Sequence, residues 1–303
     1  MESKKIDKNT LVLMNARFEI DRYYIKYGNR DNLRLAPIYR VYKKGLIYTF
    51  AAIWIQKLHL PFQSIWYADW KKDVKEFDDI IVFAGILNWN ILKYLKRRNP
   101  TAKLRLWFWD SIDEKKKLSV IDKEICEIWS FDKADCKKYK LKENTQFYIK
   151  RNSFSNTQGV IYDAMFVGRE KGRTAILNEI IEKLNNCNLK IYRYILGDKT
   201  ANGMEYDAVL DLVEKSSCII DVPKPNQSGL TLRVLESLFY SKKLITTNKN
   251  IVEEEFYNPR NILVWETLSN EEIKEFFQSP YEAVDKEVIK KYTIEQWVEN
   301  FDK

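Results

Sequence analysis

Histidine is nearly absent: the chain has one, His59, in 303 residues. A Ser–His–Asp triad would have to rest on that residue alone. Cysteine is scarce as well. Cys126, Cys136, Cys187 and Cys218 form no CxxC pair, and catalytic zinc needs a ligand cluster that the sequence does not show. The four read as reduced, mostly buried thiols of a cytoplasmic protein. There is no GxxxxGK[ST] phosphate loop and no complete GxGxxG fingerprint with a following ribose-binding acid, which disfavours a P-loop ATPase and an ordinary dehydrogenase. Long apolar runs are missing too. Residues 1–10 are polar, with no signal-peptide core. Gly45–Leu60 contains Lys57 and His59 and is too short for an ordinary membrane span. It reads as a helix over Leu46–Gln56 with Trp54 on one side; core packing explains it as readily as contact with a membrane surface.

What the chain does have is core material. It is 45% hydrophobic and 31% charged, with 9 Trp, 18 Tyr and 15 Phe. At roughly 100–200 residues per domain, two domains are expected. The balance of 51 Lys+Arg against 43 Asp+Glu, net +8, is spread along the chain and favours anionic partners in general. No recognition helix, zinc module or RNP-like motif is evident, so nucleic acid is not an expected partner.

Short apolar runs alternate with helical patterns. Strands are expected at Leu11–Asn15, Ser64–Ala68, Ile80–Ala84, Leu104–Trp109 and Ile125–Ser130. Asn88–Arg98 reads as a helix stopped by Asn99–Pro100, and Asp21–Arg34 as a polar, aromatic loop. After a polar connector at Arg151–Gly159 the pattern restarts. It gives strands at Asp163–Gly168, Leu189–Leu196, Cys218–Val222, Leu244–Thr247 and Ile262–Val264, with helices at Thr174–Leu184, Tyr206–Lys215 and Leu230–Tyr240. The tail, Ser279–Lys303, reads as mostly helical, with Tyr292, Ile294, Trp297, Val298 and Phe301 as its apolar anchors. This order predicts an α/β protein of two parallel sheets with crossover helices.

Two segments carry candidate chemistry. In DVPKPNQSGLTLRVLE, Asp221–Glu236, a strand end, a loop and a helix start follow one another. Gly229 permits tight backbone geometry and Ser228 is placed to cap the helix. The N–H groups around Gly229, Leu230 and Thr231 then suit an anionic phosphate. Arg233 is a charge partner for the phosphate or for Glu236, and Glu236 suits ribose hydroxyls. An ordinary loop with an Arg–Glu surface pair fits the same residues. The second segment, GREKGR from Gly168 to Arg173, joins a strand to a helix at the edge where open parallel sheets bind ligands. Its Arg169, Lys171 and Arg173 suit a departing diphosphate, or else form a solvated basic turn.

SGLTLRVLESLFYSKKLITTN, residues 228–248, resembles the donor-binding half of GT-B glycosyltransferases, particularly bacterial enzymes of polysaccharide and lipopolysaccharide assembly. The resemblance extends over most of residues 160–300. It implies a GT-B-like α/β fold of two Rossmann-like domains facing an interdomain cleft: residues 1–155 binding acceptor, 156–280 binding nucleotide-sugar, and a C-terminal helix over 281–303 returning to the first domain. Glu236 matches the family's nucleotide-ribose glutamate, and Ser228–Thr231 match its diphosphate-facing loop. The pattern departs at Phe239–Lys243, and Ser228 stands near where many relatives carry an earlier acid. The implied activity is transfer of a sugar from a nucleotide-sugar to a hydroxyl of a glycan or lipid-linked glycan. No metal or other cofactor is implied. The implied setting is the cytoplasm, at the inner face of the membrane, with peripheral association to anionic lipid as a further partner.

The implied acceptor base is sought at strand ends of the first domain. Asp110, closing WFWD, is preferred and Glu19 is second; capping or solvation accounts for either equally well. Asp78 and Asp79 read as capping the approach to the Ile80–Ala84 strand. Tyr23, Tyr24, Trp66 and Trp109 either shape the sugar or acceptor side or belong to the core. A nucleotide-sugar epimerase or phosphosugar enzyme, and a noncatalytic nucleotide- or sugar-binding protein, are the alternatives.

Overall fold

The structure is a computed structural model, described over residues 7–16, 18–40, 63–84, 90–112, 118, 121–151, 159–197, 203–224, 229–266 and 268–303. The expected helix at Leu46–Gln56, His59, Ser228 and most of the Arg151–Gly159 connector lie outside these residues. The chain divides into two units: residues 1–145 with 298–303, and residues 146–297.

The first unit holds β1 (Thr10–Met14), β2 (Leu33–Pro37), β3 (Asp79–Phe83), β4 (Lys103–Phe108), β5 (Glu127–Ser130) and β6 (Lys142–Glu143), in the order β2-β1-β3-β4-β5-β6. All of these pairings are parallel. Its described helices are α1 (Glu19–Tyr27), α2 (Asn90–Arg98) and α3 (Lys133–Tyr139). The second unit holds β7 (Tyr162–Arg169), β8 (Ile191–Leu196), β9 (Ser216–Asp221), β10 (Lys243–Thr246) and β11 (Ile262–Val264), in the order β11-β10-β9-β7-β8, again all parallel. Its helices are α4 (Thr174–Asn186), α5 (Tyr206–Glu214), α6 (Leu232–Phe239), α7 (Asn270–Gln278) and α8 (Lys286–Lys290), and the chain leaves it within α9 (Ile294–Asn300).

Counted from the first strand of each unit, both sheets share the order 2-1-3-4-5, to which the first adds a sixth strand at its end. This is a doubly wound order whose direction of winding reverses between strands 1 and 3. The chain is thus a pair of Rossmann-like α/β domains, a GT-B-like architecture.

Strand alternation explains the layers. In the second domain Ala164, Phe166, Cys218, Ile220, Val222 and Ile245 share one core with Leu177, Ile180 and Leu184 of α4 and Ile273 and Phe276 of α7, while α5 and α6 lie along β7, β9 and β10. In the first, Leu11, Leu13, Ile80, Val82, Leu104 and Leu106 pack with Ile91, Leu92 and Leu95 of α2. Each fully buried Val, Leu, Ile or Phe side chain among these contributes roughly 1.5–3 kcal/mol.

Residues 298–303 belong to the first unit. Phe301 stands edge-on to Trp107 and Trp129, and its carbonyl accepts from Arg105 Nη2 at 3.2 Å. Arg105 Nη1 meets Asp79 at 2.6 Å, both buried. Asp79 is therefore not a cap; it is the first residue of β3, bound to a guanidinium in the neighbouring strand. Its neighbour Asp78 accepts from the Asn9 N–H at 3.0 Å.

Two further expectations are corrected. The segment read as a loop over Asp21–Arg34 contains most of α1 and the start of β2, because Asp21, Tyr23 and Tyr24 are the buried residues of a helix. The strand expected at Ser64–Ala68 is a 3-10 turn, Gln63–Trp66. Tyr67 makes only an isolated bridge to Tyr39 and packs on Trp70, ring to ring at 5.4 Å. All four cysteines are buried and free, and burial pushes the Cys126 and Cys136 thiols up to about 12.

Candidate functional site

The reversal of winding in the second sheet falls between β7 and β9, and both candidate segments start at the ends of these strands. Gly168 and Arg169 close β7. Lys171 (φ +43°) and Gly172 (φ +72°) then take left-handed conformations, which for a lysine is an uncommon and costly backbone state. Arg173 follows as the residue before α4, and its side chain is 6% exposed. It donates Nη1 to the Val222 carbonyl and Nε to the Glu170 carbonyl.

From the other side comes α6. A Cβ on Gly168 would lie 3.2 Å from Arg233 Nη1 and 3.1 Å from the Phe166 ring, so a side chain at 168 would press on that guanidinium and that ring. The Arg233 and Arg173 guanidinium carbons stand 5.2 and 6.0 Å from the centre of that ring, within cation–π range.

Asp221, the last residue of β9, organises this junction. It is fully buried. Its Oδ1 accepts from Thr231 Oγ1 at 2.7 Å and from Arg233 Nε at 3.1 Å, and its Oδ2 accepts from Thr246 Oγ1 at 3.0 Å. One carboxylate therefore joins β9, β10 and the start of α6. Sequence reading assigned it no role, although a charge ending the apolar run CIID must find partners if it is buried.

The expected cap also moves. The residue before α6 is Thr231, not Ser228, and Thr231 makes no side-chain cap bond because its hydroxyl is turned to Asp221. Arg233 is paired with Asp221, and it also reaches the Val222 carbonyl at 3.4 Å. Val222 thus accepts from two guanidinium groups. Gly229 and Leu230 lead into the helix, half-buried and buried respectively.

Glu236 lies deeper, 3% exposed. Its Oε1 accepts from Tyr206 OH at 2.6 Å, and that hydroxyl stands 3.1 Å from Tyr148 OH. Burial raises the carboxyl pKa, and the bond from Tyr206 only partly opposes this. Tyr206 takes up one oxygen of the carboxylate and leaves the other as an acceptor.

Beside this junction, at the ends of β9 and β10, is an open depression of about 340 Å³, bordered by Arg173, Ile176, Lys224, Asn248 and Lys249.

In the first domain Asp110 is exposed just past the end of β4. Glu19 begins α1 and forms an ion pair with Arg22. Beside Asp110, Trp109 packs edge-on to buried Tyr24 at 5.7 Å and against Phe83 at 5.3 Å. Among the described residues no group of three or more His, Cys, Asp or Glu could hold a metal ion, and no helix is long and apolar enough to cross a membrane.

No protein-family model and no curated protein matches this chain. Among solved structures, an α1,3-fucosyltransferase is similar at 9% identity over 94% of this chain and 85% of its own, with a TM-score of 0.38. A conserved domain protein from Vibrio cholerae O1 biovar eltor is similar at 10% identity over 82% and 76%, TM-score 0.23. The NAD+-bound 3-phosphoglycerate dehydrogenase of Entamoeba histolytica is similar at 12% identity over 89% and 92%, TM-score 0.21. At these scores the likenesses carry no argument, and the fold class rests on strand order.

Proposed function

We propose that the chain is a glycosyltransferase of the GT-B class that holds a nucleotide-sugar donor at the β7/β9 switch point of its second domain. One observation carries the reading. At the place where doubly wound sheets bind ligands, Arg173 from the turn after β7 and Arg233 from α6 meet beside Gly168, on the Val222 carbonyl and the Phe166 ring. In this reading Arg169, Lys171 and the backbone of Gly229–Thr231 face the diphosphate, where fixed donors stabilise charge that develops on the leaving group. Arg173 and Arg233 hold the frame through the Val222 carbonyl, and Glu236 contributes at the ribose.

The acceptor is a hydroxyl of a glycan or lipid-linked glycan. Asp110, with Glu19 as second candidate, takes its proton. The acceptor oxygen then forms a bond to the anomeric carbon as the bond to the diphosphate oxygen breaks, and the diphosphate leaves with the electron pair. The reaction needs no metal, and the donor is a substrate rather than a cofactor. The protein works in the bacterial cytoplasm, beside the membrane that carries a lipid-linked acceptor.

The test is calorimetric titration of UDP, GDP and CMP, and of their sugar conjugates, into wild type and Arg169→Ala. Selective binding that weakens about tenfold or more in the variant is expected, the worth of a charge-assisted contact. A folded protein that binds none of these nucleotides refutes the reading.

A further inference from the structure

The depression at the ends of β9 and β10 shares Arg173 and Val222 with the switch-point junction and adds Lys224, Asn248 and Lys249. Among the residues bordering it are three cations, Arg173, Lys224 and Lys249, and no carboxylate. Arg173 is held rigidly, through the Val222 and Glu170 carbonyls and its stacking on Phe166. Lys249 also reaches Glu266 at 3.0 Å, but both side chains are exposed, so the contact is weak and easily exchanged.

Asn248 gives the second, independent observation. It is 7% exposed and borders the depression. Its Oδ1 is occupied by the Asn250 N–H at 3.1 Å, and its own N–H donates to Thr246 Oγ1 at 3.1 Å. Among the described residues its side-chain Nδ2 donates to no protein atom, and it is not one of the fully enclosed unpaired atoms, so a group from outside can reach it. Ile176 supplies an apolar wall.

We infer that this depression is an anion site for a phosphoryl group, with Arg173, Lys224 and Lys249 supplying charge and the Asn248 amide a directed donor. A phosphoryl group has three strong acceptor oxygens to share among several donors, and a fixed guanidinium suits it. The volume of about 340 Å³ is at the small end of ligand pockets and has room for a phosphate or diphosphate. The site uses residues 248 and 249, which the switch-point junction does not.

The decisive variant is Asn248→Asp. It keeps the oxygen that accepts from Asn250 and replaces the donor with a negative charge. Pyrophosphate, UDP and GDP are titrated calorimetrically into wild type, Asn248→Asp and the double variant Lys224→Ala/Lys249→Ala, with a far-ultraviolet circular dichroism check of folding. Pyrophosphate affinity is expected to fall about tenfold or more in both variants. If UDP and GDP weaken in parallel, the phosphoryl group belongs to the nucleotide bound next door; if they do not, it belongs to a separate phosphate. Unchanged pyrophosphate affinity in both folded variants overturns the inference, and nucleotide binding that persists there leaves the donor-site reading standing.

Discussion

Removing the Asp221 carboxylate should loosen the second domain more than almost any other single-residue change. Asp221→Ala deletes the acceptor for Thr231, Arg233 and Thr246 together. It also strands the Arg233 guanidinium, whose side chain is 16% exposed. Breaking one partner of a buried pair costs about 3–5 kcal/mol. The three bonds cannot be summed on top of that, because Arg233 keeps the Val222 carbonyl and its partial exposure relieves some of the charge. A loss of about 3 kcal/mol is the working figure, set against roughly 5–15 kcal/mol for a whole domain. Asp221→Asn keeps the shape and one oxygen, and should cost about half as much. Because two domains need not unfold together, the assay is hydrogen exchange of the β9 and β10 peptides across a urea series. Arg233→Met as a second background closes a double-mutant cycle. A cost below about 1 kcal/mol for Asp221→Ala, or an equal cost with and without Arg233, refutes the assignment of Asp221 as the joint of this junction.

Two other outcomes follow from the same geometry. Burial raises the Glu236 carboxyl above its unfolded value near 4.5, so the folded state holds the proton more tightly and stability falls as pH rises through the folded pKa. Glu236→Gln keeps an acceptor for Tyr206 and should therefore be more stable than wild type at about pH 8, with the gain vanishing near pH 4; thermal melts at the two pH values check the sign, and a loss at the higher pH sinks the argument. Gly168→Ala places a methyl 3.1 Å from Phe166 and 3.2 Å from Arg233 and should cost about 1–3 kcal/mol. Exchange of the β7 peptide measures it, and a neutral result means that the Phe166 ring and the Arg233 guanidinium give way to the methyl without cost.

The strands were the legible part of the sequence. IIVFA and CIIDV are apolar runs between turn residues, and they form β3 and β9 with ends shifted by one or two positions. Ile262–Val264 falls where it was expected. Helix α1 was hidden because EIDRYYIKY puts tyrosines and charges where aliphatic residues usually mark a helical stripe. The 3-10 turn at Gln63–Trp66 was hidden because isoleucine, tryptophan and tyrosine favour strands locally, while the packing of Tyr67 on Trp70 is a tertiary matter. At the site, the GREKGR turn and the helix after Gly229 were visible as phosphate-suited segments. Their meeting beside Gly168 was not, because strand order is absent from a linear pattern. Asp221 was missed for the same reason: its partners lie 10, 12 and 25 residues away.

The Val222 carbonyl precedes Pro223, so its peptide unit has no N–H and serves the junction purely as an acceptor. Two guanidinium groups from segments 60 residues apart, counted from 173 to 233, hang on that one oxygen. Substitutions at these two positions are therefore epistatic. Losing either arginine changes how firmly the other is held, and sequence drift at one constrains what the other can become.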